Sequence, residues 1–208
     1  MHLTRAESTK KLPIPRKGTK YIARALSHKT AAVPVVIAIR DMLKLARTAR
    51  EVKSMIKQKL LKINGHEVKD YRESLCLFNL FHADKTYMLT LTKNGRFKLE
   101  ETAQKETRPC KVIGKKLLKK GRMQINCHDG TNLIIEKNTL NINDTINLKL
   151  TGEMQNSITF EKGKHCIILK GKYQGVNGTI KEVHKGAVTI QNEGGNVTIL
   201  EKEHVMVL

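Results

Sequence analysis

A chain of 208 residues has room for one large domain or for two to three small ones. Its 39 lysines and arginines against 19 acids give a formal charge of +20, far more than solubility requires, and point to a polyphosphate partner. Trp is absent and aromatics make up only 4%, which argues against a core rich in large rings and against single-strand binding by serial base stacking.

The four cysteines, Cys76, Cys110, Cys127 and Cys166, show no C-x-x-C spacing. A structural zinc site is therefore disfavoured, with Cys127-His128 left as the one pair able to join a non-local site. They read as reduced thiols of a cytosolic protein. No secretion signal is visible, and the apolar run Val33–Ile39 is too short to span a membrane. The expectation is a soluble intracellular chain without a membrane partner.

In chain order, residues 1–30 carry Arg5, Lys10, Lys11, Arg16, Lys17, Lys20, Arg24 and Lys29 against a single acid, Glu7, with Pro13 and Pro15 interrupting any period. Such an arm is expected to be disordered alone, for want of apolar surface to offset its ordering entropy. Folding against phosphates is favoured over a solubilising tail.

The stretch from Ile37 to Asp70 organises the rest. It predicts two short basic helices and a β-hairpin. In the first helix, Ile39, Leu43 and Ala46 form an apolar stripe, with Arg40, Lys44 and Arg47 repeating that spacing one residue later. Thr48 and Glu51 form a capping-box signature that starts the second helix. That helix is expected to turn Ala49, Val52, Ile56 and Leu60 inward and to carry Arg50, Lys53 and Lys57 on an adjacent arc. Ile63-Asn64-Gly65-His66 is a strong hairpin signal, since a type I′ turn needs positive φ at both central residues. A two-residue loop there pairs Lys62 with Glu67 and Leu61 with Val68. Thr48-Ala-Arg-Glu51, the helix after it and Leu60-Leu-Lys-Ile-Asn-Gly-His-Glu-Val-Lys-Asp70 resemble the S4 RNA-binding domain, which implies that the helical face and hairpin bind folded RNA.

Ser74–Phe81 and Tyr87–Thr92 read as strands, the second meeting an Asn94-Gly95 turn before Phe97-Lys-Leu99. Glu100 to Arg108 is polar and marks a domain boundary. Short strands follow at Lys111–Gly114, Met123–Cys127, Asn132–Glu136 and Thr145–Leu150, with turns at Asp129-Gly130 and Asn143-Asp144. They predict a small curled antiparallel sheet or barrel, with Lys115, Lys116, Lys119 and Lys120 on a turn. The segment Gly163–Ile180 resembles the KOW motif at the start of an SH3-like barrel. There Gly171, Gly175 and Gly178 permit positive φ and close backbone approach in a tight loop, and Lys164, Lys170 and Lys172 supply charge. Strands Ala187–Gln191, Asn196–Leu200 and Val205–Val207 would complete the barrel.

No catalytic constellation emerges: there is no Walker loop, H-E-x-x-H helix or G-x-S-x-G elbow, and His128 beside Asp129 reads as a turn pair. The fold class is read as α+β: a basic arm (1–36), an S4-like domain with following strands (37–105), a central β domain (106–160) and an SH3-like KOW barrel (161–208). This order, with His2-Leu3-x-Arg5, Leu12-Pro-Ile-Pro-Arg-Lys-Gly-Thr-Lys20, Arg40-Asp41, Asn94-Gly-Arg-Phe97, Cys110-Lys-Val112, His128-Asp129 and Asn143-Asp-Thr-Ile146, resembles the eS4 family of small-subunit ribosomal proteins. The chain stops just past the barrel, as in compact archaeal members.

The resemblance implies a non-enzymatic ribosomal component in the cytoplasm that binds small-subunit rRNA in the 5′ part of the body beside other ribosomal proteins. It implies no cofactor, metal or small-molecule substrate. Two rivals are an S4-domain RNA-modifying enzyme and a KOW-containing transcription adaptor.

Overall fold

The computed structural model describes residues 3–103, 106–136 and 140–208, and Lys120 by its backbone alone. His2 of the N-terminal motif, Gln104 and Lys105 of the expected boundary and the Lys120 side chain lie outside what is described. The chain divides into two compact units, residues 1–92 with 96–105 and residues 93–95 with 106–208. Strands outnumber helices throughout, so the fold is mostly β and carries less helix than the α+β expectation.

The first unit opens with β1 (Leu3–Thr4) paired antiparallel to β2 (Tyr21–Ile22). The basic arm is thus a folded loop, which corrects the expectation of disorder. Its few apolar residues are placed where they count: Leu12 and Ala25 are buried, and the Phe97 N–H donates to the Lys11 carbonyl at 2.9 Å. The Arg5 guanidinium ties the loop together through the Thr19 and Pro15 carbonyls and the Thr19 hydroxyl.

After β3 (Ala32–Pro34), α1 (Val35–Ile37) runs into a π-helical turn, Ala38–Met42. Val35 to Ile39 are all at most 2% exposed, so this helix is buried all round rather than along one stripe. It ends before Lys44, which takes the left-handed conformation (φ 58°). Lys44 and Arg47 therefore leave the helix that carries Arg40, and the continuous basic stripe expected there does not form.

The second helix, α2 (Ala49–Lys57), starts where the capping signature places it. Thr48 Oγ1 accepts the Glu51 N–H at 3.2 Å, while the Glu51 carboxylate accepts the N–H of Arg47 at 2.8 Å, one residue earlier than expected. Val52 is buried. Lys59 (φ 58°) closes the helix in a Schellman arrangement: its N–H reaches Ile56 and the Leu60 N–H reaches Met55. Leu60 falls past that stop and is 51% exposed, contrary to the inward placement expected.

The hairpin forms as read. In β4 (Lys62–Ile63) and β5 (His66–Glu67), Lys62 pairs with Glu67. Asn64 and Gly65 have φ of 50° and 84°, and Val68 and Leu61, joined by a 3.0 Å backbone bond, are both buried. The apolar run after it is broken at Phe78 (φ 61°). It yields β6 (Ser74–Cys76), paired with β3, and β7 (Leu80–His82). With β8 (Thr86–Leu91) and β9 (Phe97–Glu101), the sheet order is β5-β4-β7-β8-β9.

The second unit holds two five-stranded antiparallel sheets. The first contains β10 (Thr107–Leu117), β11 (Met123–Cys127), β12 (Asn132–Ile135), β13 (Thr145–Lys149) and β14 (Met154–Ile158) in the order β12-β11-β10-β13-β14. The long β10 pairs with β13 through its first half and with β11 through its second, bulging between Val112 and Gly114. That bend lets one strand serve both sides of a core built on Cys110, Val112, Ile125, Ile146 and Leu148. Lys115 and Lys116 lie on β10 and Lys119 in a 3₁₀ turn, so the four lysines do not share the expected turn. Arg108, read as boundary, is 5% exposed inside β10.

The second sheet contains β15 (His165–Ile168), β16 (Asn177–Val183), β17 (Ala187–Asn192), β18 (Val197–Glu201) and β19 (Val205–Val207), ordered β18-β17-β16-β15-β19. Gly171 and Gly175 have positive φ (92° and 83°). Gly178 is required by contact instead, since a Cβ there would meet Ile190 Cγ2 at 2.6 Å and the Gln191 carbonyl at 2.7 Å.

Lys111 of β10 is 2% exposed, and its ammonium donates to the carbonyls of Lys202, Glu203 and Val205 at 2.9, 2.9 and 2.6 Å. Lys111→Met strips the donor from these acceptors and is expected to cost about 2 kcal/mol in urea unfolding. Burial pushes the Lys111 pKa down to about 8, against the opposing pull of Glu203. Between that value and the unfolded lysine's, about 10.4, the unfolded chain holds more protons. Wild-type stability should therefore gain from this group as pH rises from about 8 to 10, and the methionine variant should lack that gain.

Candidate nucleic-acid interface

The candidate cations fall into three groups. On α2, Arg50, Lys53 and Lys57 are all exposed and, at offsets of three and four residues, share one face opposite Val52. The only acid of this helix is Glu51. Its carboxyl is held below the usual range by hydrogen bonds from the Arg47 N–H and the Thr48 hydroxyl, so it serves as a cap rather than as a partner for the lysines. Arg47 and Lys44 are exposed just before the helix. Arg40 differs: it makes a two-pronged bond to Asp41 at 3.1 and 2.8 Å, which partly neutralises it.

Beside this face stands a cluster that sequence reading missed. Lys53 Nζ lies 4.7 Å from the Tyr71 ring centroid and the Arg72 guanidinium 5.5 Å from it. Arg72 also bonds Asp70 at 3.1 Å, and that bond is the main reason the Asp70 carboxyl is held low. The aromatic ring fixes a flexible lysine in place at small cost. The available signal was Tyr71-Arg72 directly after the hairpin.

In the arm, Lys10, Arg16, Lys17 and Lys20 are exposed, whereas Lys11 and Arg24 are half-buried. Arg5 is spent on the loop's own oxygens. It positions the loop rather than facing outward. In the second unit, Lys164 precedes β15, while Lys170 and Lys172 flank Gly171, all exposed. Lys172 Nζ sits 5.8 Å from the Tyr173 centroid.

Cys110, His128 and Asp129 bring three donor atoms within 4.8 Å of one another, yet the chemistry does not suit a cation. Asp129 is already paired with Arg108, which also donates to Cys110 Sγ at 2.9 Å. The Cys110 thiol is held far above its ordinary range by its hydrogen bond with Cys127 and by burial, so it stays protonated. His128 Nδ1 accepts the Lys111 N–H at 3.1 Å. Asp129 is thus the carboxylate of a buried ion pair, not merely a turn residue.

Residues 83–154 match the family described as Ribosomal family S4e. The small ribosomal subunit protein eS4 of Archaeoglobus fulgidus is 30% identical over 213 residues, covering 97% of this chain and 90% of that one. Its counterpart from Methanocaldococcus jannaschii is 29% identical over 227 residues, covering 100% and 93%. The crystal structure of the 30S ribosomal protein S4e from Thermoplasma acidophilum shares the fold, with a TM-score of 0.73, 21% identity and coverage of 86% of this chain and 95% of that one. A mostly β, strongly cationic chain with these relatives is a structural ribosomal protein and not an enzyme. It belongs to the eS4 family of the small ribosomal subunit.

Proposed function

We propose that this protein binds small-subunit rRNA, in the 5′ part of the body, as a structural component of the cytoplasmic ribosome. The observation that carries this reading is the exposed cationic face of α2, Arg50, Lys53 and Lys57, whose one neighbouring acid on the helix is engaged in capping. On this reading residues 37–105 act as an S4-like module, 106–160 as a central β module and 161–208 as a KOW-type barrel. The arm, residues 1–36, adds charge to the first module. Recognition is of shape and phosphate, since an A-form helix hides its base edges in a deep groove. Other small-subunit proteins are its neighbours, and the net charge of +20 supports a polyanionic partner.

The test is gradient sedimentation of native lysate from the source cells at low and high salt, with this chain detected across the fractions. Co-migration with small subunits through moderate salt is the expected outcome. Migration as free protein, or only with RNA polymerase, would overturn the reading and favour a transcription adaptor.

A further inference from the structure

The loop between β1 and β2 walls a concavity of about 820 Å³ in the first unit. Lys10, Arg16 and Lys20 from the loop and Arg96 from the turn before β9 line it. No carboxylate lines it among the described residues. Glu7, the acid nearest in the sequence, instead accepts from the Thr4 hydroxyl at 2.7 Å and the Thr4 N–H at 3.3 Å. The lining is not polar throughout, for Ile14 and Pro15 form part of it.

The hollow has a fixed frame. Arg5 binds the Thr19 and Pro15 carbonyls across it. Gly18 (φ +146°) lies so close that a Cβ would meet Arg5 Nη2 at 2.8 Å. The volume is that of a small-ligand pocket, roughly 300–1,000 Å³. A duplex is too wide to enter and can lay its phosphates only along the rim. Cations beside an apolar wall suit a different shape: one phosphate joined to one flat base.

We propose that this basin takes a single unpaired nucleotide extruded from folded RNA, its phosphate against the lysines and arginines and its base against Ile14 and Pro15. The proposal rests on the rRNA-binding reading and refines it. The α2 face meets helical phosphates, and the basin meets one bulged residue. A free mononucleotide carries the same chemistry, so the test separates the two sources.

The experiment measures binding of the full chain, by fluorescence anisotropy, to an RNA hairpin with a one-nucleotide bulge and to its fully paired counterpart. Adenosine monophosphate serves as the free-nucleotide probe. Wild type should prefer the bulged RNA by about tenfold, the worth of removing one base face from water against apolar side chains. Arg96→Ala should erase that preference while leaving affinity for paired RNA within about threefold. Equal wild-type affinity for both RNAs, with binding still dependent on α2, overturns the basin and leaves the rRNA reading intact. Failure of wild type to bind either RNA removes the reading and the basin with it. Saturable binding of the monophosphate without any bulge preference assigns the basin to free nucleotides and overturns the RNA source.

Discussion

Asp129→Ala is expected to destabilise the second unit by about 3–5 kcal/mol, the cost of breaking a buried ion pair from one side. The Arg108 and Asp129 side chains are only 6% and 1% exposed. The carboxylate also accepts the Thr131 N–H at 3.0 Å and the Thr131 hydroxyl at 2.8 Å. Alanine leaves the guanidinium buried without this carboxylate, beside the Thr131 hydroxyl at 2.9 Å and a protonated thiol, neither of which carries charge. The mirror experiment sharpens the claim. Arg108→Met with Asp129→Leu removes both charges, and should recover most of the loss, because an apolar pair of similar volume avoids the desolvation penalty. Urea unfolding of wild type and these two variants decides it: Asp129→Ala within about 1 kcal/mol of wild type would sink the argument.

The same pair sets an acid dependence. Burial pushes the Asp129 carboxyl up, but the Arg108 charge and the bonds from Thr131 together bring it below its ordinary value. A depressed native pKa means that this contribution is complete above the unfolded value, about 3.9. It is lost as pH falls through the lower native one. Wild type should therefore shed stability in that acid window more steeply than Asp129→Ala.

How much of this was legible in the sequence depends on how local each cause is. The Asn64-Gly65 hairpin and the Thr48–Glu51 cap were readable because both are decided within a few residues by backbone geometry. The helix stops at Lys44 and Lys59 were not readable. Both take a left-handed conformation that usually advertises itself through glycine, and here two lysines occupy it. Misplacing those stops misplaced Leu60 and the basic stripe with them. The arm looked disordered because its composition is polar, yet Leu12, Ala25 and the Arg5 bonds supply enough contacts to fold it. Composition does not reveal which few apolar residues find a core. Arg108 and Asp129 are 21 residues apart, and no local pattern joins them. Only the pairing of β10 with β11 brings them together.

Replacing Arg50, Lys53 and Lys57 together with alanine is expected to weaken binding to small-subunit rRNA about a hundredfold at 0.1 M salt, with little effect on folding. Each phosphate contact contributes roughly 0.7–0.9 to the slope of log affinity against log salt. Three lost contacts should flatten that slope by about 2–3, and the deficit should close as salt approaches molar. All three side chains are exposed, and surface changes of this kind alter stability by about 0.5 kcal/mol or less each. Lys53 adds the loss of its contact with Tyr71, about 0.5–1 kcal/mol at an exposed site. The slope is the discriminating quantity. A face that merely meets solvent would leave it unchanged, and a general loss of positive charge would lower affinity equally for any three exposed lysines. Substituting Lys164, Lys170 and Lys172 in the same way supplies that comparison from the other unit. If the two triple variants flatten the slope equally, phosphate contact is shared between the units. If only the second does, the α2 face is a solvated surface and recognition belongs to the glycine loop before β16.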